Sequence, residues 1–380
     1  MTNKKKICGG EGNAPPRIEG GINIRKMNEK TKLNSNMQYP KFKVTVQCAT
    51  FQHAKYITDA MNGFTMQQTD FPFVCTIIDD ASTDGEQAVI SNYLDTHFDL
   101  SEDGVAYKKE TDYAHIIYAR HKTNKNCYFA VLFLKENHYS QKKDKKPYLK
   151  EWMDNVDYIA LCEGDDYWID PMKLQKQVEI LDKNTDISLC GSNGIILAEN
   201  FCQRAKYFNN IIKSRVLTNE EVINHWTMPT ASLIYRKVII KKYPQWTQNV
   251  VNGDQLLHLM SLLYGKIYCM NAITCVYRKI DGGSIIANLI INQLIKGQSN
   301  YLYLYENYYK DYKNEENNEI LKKKIKSIKK QLKYEMSFKT GTWIFNNKAY
   351  LFYVKKFIRC IFASFLYRKA FLQILDKKNV

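Results

Sequence analysis

Apolar residues along this chain fall in short runs separated by turn-forming clusters. Lys43-Val-Thr-Val-Gln-Cys-Ala49 is a β-branched run of strand length. Over residues 53–67 the apolar positions Tyr56, Ile57, Ala60, Met61 and Phe64 recur three and four apart, which predicts a helix. Phe73-Val-Cys-Thr-Ile-Ile78 is continuously apolar, the pattern of a strand covered on both faces, and the Asp79–Gly85 cluster after it opens another helix. Further strands are predicted over 128–134, 158–162 and 266–277, and helices from Pro171 to about Leu181 and over 254–263. Residues 187–240 read as less regular, and the Lys-rich stretch 141–150 as a solvated insertion. Strand and helix alternating, with apolar strands, predict an α/β chain built on a doubly wound, mostly parallel sheet. From residue 300 onward the pattern is helical and rich in Tyr and Lys, a string better suited to helix packing than to base stacking.

Composition sharpens this division. The chain has 380 residues, 45% of them hydrophobic, which excludes a disordered protein. Its net charge of +16 is uneven: residues 1–40 contribute +5, residues 301–380 contribute +11, and the middle is neutral. Residues 1–40 lack apolar periodicity and read as a flexible basic tail with no secretory signal. The most apolar stretch, Cys360–Tyr367, is far shorter than the roughly 20 residues a spanning helix needs. Ten scattered cysteines without a C-x-x-C pair read as reduced thiols of a cytosolic protein.

In a doubly wound sheet, ligands bind beyond the carboxyl ends of the strands. Three clusters fall there: Ala49-Thr-Phe-Gln52, Asp79-Asp80-Ala-Ser-Thr-Asp84 and Glu163-Gly-Asp-Asp-Tyr-Trp168. Ser82 and Asp84 read simply as helix N-caps. Asp165 and Asp166 do not, because adjacent carboxylates at a strand end repel unless a cation or donors offset them. Oxygen ligands of this kind suit Mg²⁺ or Mn²⁺ together with substrate phosphates, and no Gly-rich phosphate loop stands in for the metal.

These segments resemble those of inverting family 2 glycosyltransferases of the GT-A fold, over about residues 43–285. Val46–Ile57 is similar to the family's opening P-T-Y-N-x-x-x-Y-I, with Ala49 and Gln52 in place of Pro and Asn. Ile77–Gly85 matches V-D-D-x-S-x-D-G, and Tyr158–Val178 resembles the D-x-D region, with Glu163 at its first acidic position. Gly253-Asp-Gln-Leu-Leu257 resembles the later acidic motif and Val276–Ser284 the closing Y-R-x-x-x-G-G-S loop. The resemblance implies that Asp80 binds the nucleotide base edge, completed by backbone at Thr50 and Phe51. Asp165 would touch the ribose or metal, and Asp166, with Glu163, would ligate a divalent cation, Mn²⁺ or Mg²⁺. Asp254 would be the general base, and Arg278, Gly283 and Ser284 would close over the leaving diphosphate. The implied domains are 41–190, binding the nucleotide-sugar, 191–290, binding the acceptor, and a basic aromatic helical extension over 291–380.

The expected partners are a nucleotide-sugar donor and a glycan or lipid-linked acceptor, with no specific nucleic acid. His225-Trp226 and Thr230–Ser232 fall on the acceptor side, where they read either as site residues or as a core Trp with capping hydroxyls. Residues 320–333 are Lys-dense and 350–375 combine aromatics with Lys355, Lys356 and Arg359, a composition suited either to an anionic membrane surface or to a helical cap. A sugar-nucleotidyltransferase would open with a Gly-rich phosphate loop, which is absent after Cys48. A nucleic-acid module using the basic ends would leave the acidic clusters without a role.

Overall fold

A computed structural model describes residues 40–101, 105–198, 205–279 and 287–339. The expected tail before Pro40, Gly283, Ser284 and residues 350–375 lie outside them. The elements are β1 (Val44–Thr50), α1 (Ile57–Thr65), β2 (Phe73–Asp79), α2 (Glu86–His97), β3 (Phe98–Asp99), β4 (Tyr107–Glu110), β5 (Ala114–His121) and β6 (Cys127–Leu134). There follow α3 (Lys150–Met153), β7 (Tyr158–Leu161), β8 (Tyr167–Trp168), α4 (Lys173–Lys183), β9 (Ile187–Ala198), β10 (Lys206–Tyr207), β11 (Arg215–Val216) and α5 (Asn219–Asn224). The chain continues through β12 (Ile234–Arg236), α6 (Gly253–Ser261), β13 (Lys266–Lys279), α7 (Ala287–Tyr312) and α8 (Asn318–Lys339).

One sheet runs in the order β11-β13-β9-β12-β7-β1-β2-β6-β5-β3. Its centre, β7-β1-β2-β6, is parallel, with Val44 opposite both Tyr158 and Phe73, and Phe73 opposite Cys127. Every residue of β2 and β6 is buried, as their unbroken apolar runs require. β9 and β13 are also parallel to each other, while β12 is antiparallel between β7 and β9 and β5 antiparallel to β6. All four central strands therefore end at the same edge.

Helices cover the faces by their apolar stripes. α1 buries Ile57, Ala60, Met61 and Phe64, each large side chain contributing about 1.5–3 kcal/mol. Gly63 lets that helix approach β8, since a Cβ there would stand 2.8 Å from Trp168 N. α4 buries Leu174, Val178 and Leu181, and also Lys173, whose ammonium lies 4.2 Å from the Trp168 ring centre and donates to Gln177 at 2.8 Å. Burial lowers that lysine's pKa to about 8. At the C-terminal end Tyr305 and Tyr308 of α7 are buried and donate to the carbonyls of Ile223 and Leu259, and Lys324 of α8 donates to Asn224 O at 2.8 Å. The tyrosine string is helix packing.

Two stretches differ from the sequence reading. Residues 187–198, expected to be irregular, form β9, the second-longest strand of the sheet. Its apolar run is broken by Gly191 and Gly194, which admit Met228 and Pro229 against the backbone, so glycine here marks close approach rather than a turn. The Lys-rich insertion is not simply solvated. Leu149 and Trp152 are buried, and Tyr148 stacks on Tyr113 with ring centres 3.8 Å apart. These apolar anchors turn Lys145 back onto Asp80 at the carboxyl edge of the sheet, while Lys142, Lys143, Lys146 and Lys150 stay exposed as expected.

Candidate active site

The turn after β1 is built around Glu86, a fully buried carboxylate at the start of α2. Glu86 accepts from the Thr50 hydroxyl, from His53 N at 2.9 Å and from Ser82 Oγ at 2.8 Å. Ser82 Oγ also accepts from Gln52 N at 2.9 Å, and Asp84 accepts from Ala54 N at 2.9 Å. Ser82 and Asp84 thus tie the β1 and β2 turns together. Gln52 (φ 59°) and Ala81 (φ 62°) are left-handed, a conformation that costs a non-glycine residue about 1–2 kcal/mol. Asn tolerates it better than Gln, so Gln52 is held there by the Ser82 bond and by its amide donating to Thr83 at 2.8 Å.

Asp80 follows β2 and is 2% exposed. Its carboxylate accepts from His138 N (2.8 Å), Tyr139 N (3.0 Å) and the Lys145 ammonium (3.0 Å). Desolvation alone would raise its pKa; Lys145 and the two backbone donors outweigh it and hold the carboxyl below its ordinary range.

The β7 turn brings the third cluster to the same edge. Gly164 passes directly against Thr50, where a Cβ would collide with the threonine side chain. Asp166 is 2% exposed and accepts from Arg278 N at 2.8 Å; burial, and then Asp165 and Glu163, push it up to about 8. Glu163 is exposed as a residue, but the protein around its carboxyl desolvates it and Asp165 and Asp254 repel its charge, raising it to about 7. The Arg278 guanidinium donates to Asp165 O at 2.9 Å, pairs with Asp59 and lies 4.3 Å from the Tyr167 ring centre.

Between these turns is a cleft of about 740 Å³. Thr50, Phe51, Asp80, Glu163 and Asp165 line it, together with Lys145 and Tyr139. Asp166 and Arg278 do not, because both are spent on each other's segment: one as the acceptor for β13, the other clamped between Asp59 and the Asp165 carbonyl. Asp254 stands in the first turn of α6, accepting from Gln255 N at 2.8 Å, outside the cleft lining but near enough for its charge to raise Glu163. Lys145, His53 and Glu86 escaped the sequence reading. The usable signal for Lys145 was position: its loop follows β6, whose carboxyl end shares the edge with β1, β2 and β7.

Among the described residues no three His, Cys, Asp or Glu side chains are gathered to hold a metal by themselves. Two mutually repelling carboxylates, Glu163 and Asp165, on one cleft wall do fit a cation completed by substrate phosphates, the usual arrangement for Mg²⁺.

A mannosyltransferase from Pyrobaculum calidifontis, solved in complex with GDP-Man and Mn²⁺, superposes with a TM-score of 0.52 over 88% of this chain and 84% of its own, at 11% identity. The chain shares that enzyme's fold. Residues 1–349 of Staphylococcus aureus TarS align over 76% of this chain and 71% of theirs, with a TM-score of 0.49 and 14% identity. Uncharacterised proteins of Mycobacterium tuberculosis and Mycobacterium bovis are 26% identical over 236 residues, 62% of this chain. The chain spans 58% of the length of these curated relatives. No family model matches.

Proposed function

We propose that this protein is a metal-dependent, inverting family 2 glycosyltransferase of the GT-A type. It moves a hexosyl group from a nucleotide-sugar to a hydroxyl of a glycan or lipid-linked acceptor, in cell-surface polysaccharide synthesis. The observation that carries the reading is the cleft at the carboxyl edge, with the Asp80–Lys145 pair on one wall and Glu163 and Asp165 on the other. A nucleoside diphosphate presents a polar base edge at one end and concentrated negative charge at the other, which suits those two walls.

In this reading Asp80 and Lys145 hold the base edge, with the backbone of Thr50 and Phe51 beside it. Asp165 and Glu163 would hold Mn²⁺ or Mg²⁺, which when bound neutralises the leaving diphosphate as a Lewis acid. Asp166 and Arg278 become positioning residues that fix the β7 turn against β13, a change from the ligand and diphosphate roles first expected of them. Gly283 and Ser284 keep their proposed place over the diphosphate. Asp254 accepts the proton of the attacking hydroxyl from the far side of the anomeric carbon. With one base and no covalent intermediate, a single displacement inverts that centre. Residues 41–190 form the donor half, 191–290 the acceptor half and 291–380 the extension.

We further place the protein in the cytoplasm, docked at the inner face of the plasma membrane. No helix among the described residues is long and apolar enough to cross a membrane. The support is α8, whose exposed Lys322, Lys323, Lys326, Lys329, Lys330 and Lys333 share about a third of the helix circumference.

Incubating the full chain with UDP- and GDP-sugars and Mn²⁺ should give slow donor hydrolysis. Asp254→Asn should keep donor affinity and lose about 10²–10⁴-fold in turnover, as removal of a general base does. A chain that neither binds nor hydrolyses any nucleotide-sugar refutes the reading.

A further inference from the structure

Trp152 and Trp168 are 3% and 1% exposed, but Trp226, read above as either core or site, is 37% exposed. It is not a stray surface residue. Its ring meets Phe208 at 4.8 Å and 88°, and Tyr277 at 5.6 Å and 86°, while Phe208 and Tyr277 meet at 6.1 Å and 89°. Three mutually perpendicular rings fix one another's orientation. Phe208 and Tyr277 are only partly buried.

Polar bonds beneath the rings hold their backbones. Phe208 N donates to Gly194 O at 2.8 Å. The buried Asn193 accepts from Asn209 N at 3.0 Å and donates to Asn209 O at 2.9 Å. Asn209 in turn donates to Thr227 O at 2.9 Å, next to Trp226. The chain thus spends a buried asparagine and a bridging one to present an indole to solvent, at the cost of leaving apolar area wet.

Position says what the rings are for. Tyr277 immediately precedes Arg278, whose N–H donates to Asp166 and whose guanidinium reaches Asp165 O. The rings therefore stand beside the β7 carboxylate turn, on residues of the 191–290 half. The Tyr277 phenol senses this: burial and then Asp166, Asp165, Glu163 and Asp254 all raise its pKa.

We propose that Phe208, Trp226 and Tyr277 form an acceptor subsite that receives a pyranose ring by stacking on the Trp226 indole. The slightly positive C–H face of a pyranose complements the slightly negative face of an aromatic ring, and an amphipathic sugar suits an aromatic, half-wet surface. On a glycan or lipid-linked acceptor this selects the ring of a cyclic sugar, and it disfavours an open-chain polyol, which has no flat C–H face to stack. The inference rests on the glycosyltransferase reading only for the word acceptor; the sugar-binding surface stands apart from it.

The test is saturation-transfer NMR on the full chain with methyl glucoside, galactoside, mannoside and N-acetylglucosaminide, and with sorbitol as the open-chain probe. At least one pyranoside should show strong transfer to the protons of one ring face, and sorbitol none. Trp226→Leu, which keeps apolar bulk but removes the π face, should lose at least fivefold of that signal, and Trp226→Phe should keep most of it. Transfer absent for every pyranoside, equal for sorbitol, or unchanged in Trp226→Leu overturns the proposal. UDP and GDP binding with Mn²⁺ on the same samples reports the cleft independently. Pyranosides bound without nucleotides would leave the subsite standing and refute the donor assignment.

Discussion

At the scale of single residues, the two adjacent aspartates have opposite fates. Asp165 lines the cleft, whereas Asp166 is buried against Arg278 N. Asp165→Asn should therefore lower Mn²⁺-dependent affinity for UDP or GDP at least tenfold in calorimetry, and Asp166→Asn should leave it within about threefold. The reverse order would return the ligand role to Asp166. Asp166→Asn keeps the acceptor for Arg278 but removes a carboxyl raised from 3.8 to about 8. A group raised on folding favours the native state below its unfolded pKa and loses that contribution as pH climbs through the folded value. Without metal, the parent should weaken between about pH 4 and 8, and Asp166→Asn should flatten this slope and gain about 1–3 kcal/mol at pH 8 in urea titrations. Asp80 works with the opposite sign. Asp80 is depressed on folding, so its contribution is present above pH 3.8 and lost as pH falls through the lowered value. Lys145→Met strands a buried carboxylate and should cost about 2–4 kcal/mol at pH 7, shrinking below pH 4. A constant loss across that range would mean packing, not charge, is what Lys145 supplies.

Elements set how these residues meet. The cleft depends on three turns at one edge, and two of them carry left-handed residues, Gln52 and Ala81. Strain of this kind persists because the surrounding hydrogen bonds over-determine it. At Ala81 a glycine relieves the backbone but adds chain entropy to the unfolded state, so Ala81→Gly should fall between neutral and about 1 kcal/mol more stable. A clear loss of stability in thermal unfolding would show that the Ala81 methyl packs usefully against the cleft wall. The third turn is positioned by the absence of a side chain at Gly164, which lets β7 close on Thr50.

For the whole molecule the question is where the charge acts. α8 turns Leu321 and Ile328 inward and leaves Lys322, Lys323, Lys326, Lys329, Lys330 and Lys333 exposed, with Glu319 pairing Lys322 at 3.0 Å and Glu306 pairing Lys329 at 2.7 Å. Each exposed lysine near an anionic bilayer adds about 1 kcal/mol at moderate salt, so a row of them can hold a protein there. The full chain should co-sediment with phosphatidylglycerol vesicles at low salt and release at high salt. Changing Lys322, Lys326, Lys329 and Lys333 to Gln should weaken binding at least tenfold, with donor hydrolysis as the check on folding. Equal partitioning of parent and variant would leave α8 as a cap over α5 and the core.

What the sequence by itself determined is the set of central strands and the clusters that follow them. β2, β6 and β7 are legible because strands covered on both faces are largely apolar, and β1 because its run is β-branched; Thr50, Phe51, Asp80, Glu163 and Asp165 are legible because they end or follow these strands. β9 was not, since its glycines serve contacts with Met228 and Pro229 that exist only once the chain is folded. Nor was the division of labour within Asp165-Asp166, which depends on β13 arriving more than a hundred residues later to donate a backbone N–H. Lys145 and Trp226 show the same limit from the surface side: one looked solvated and faces a buried carboxylate, the other was open to reading as core and is exposed. A side chain's type follows from the chain, but its partner is set by distance in space, and the tertiary fold alone decides that.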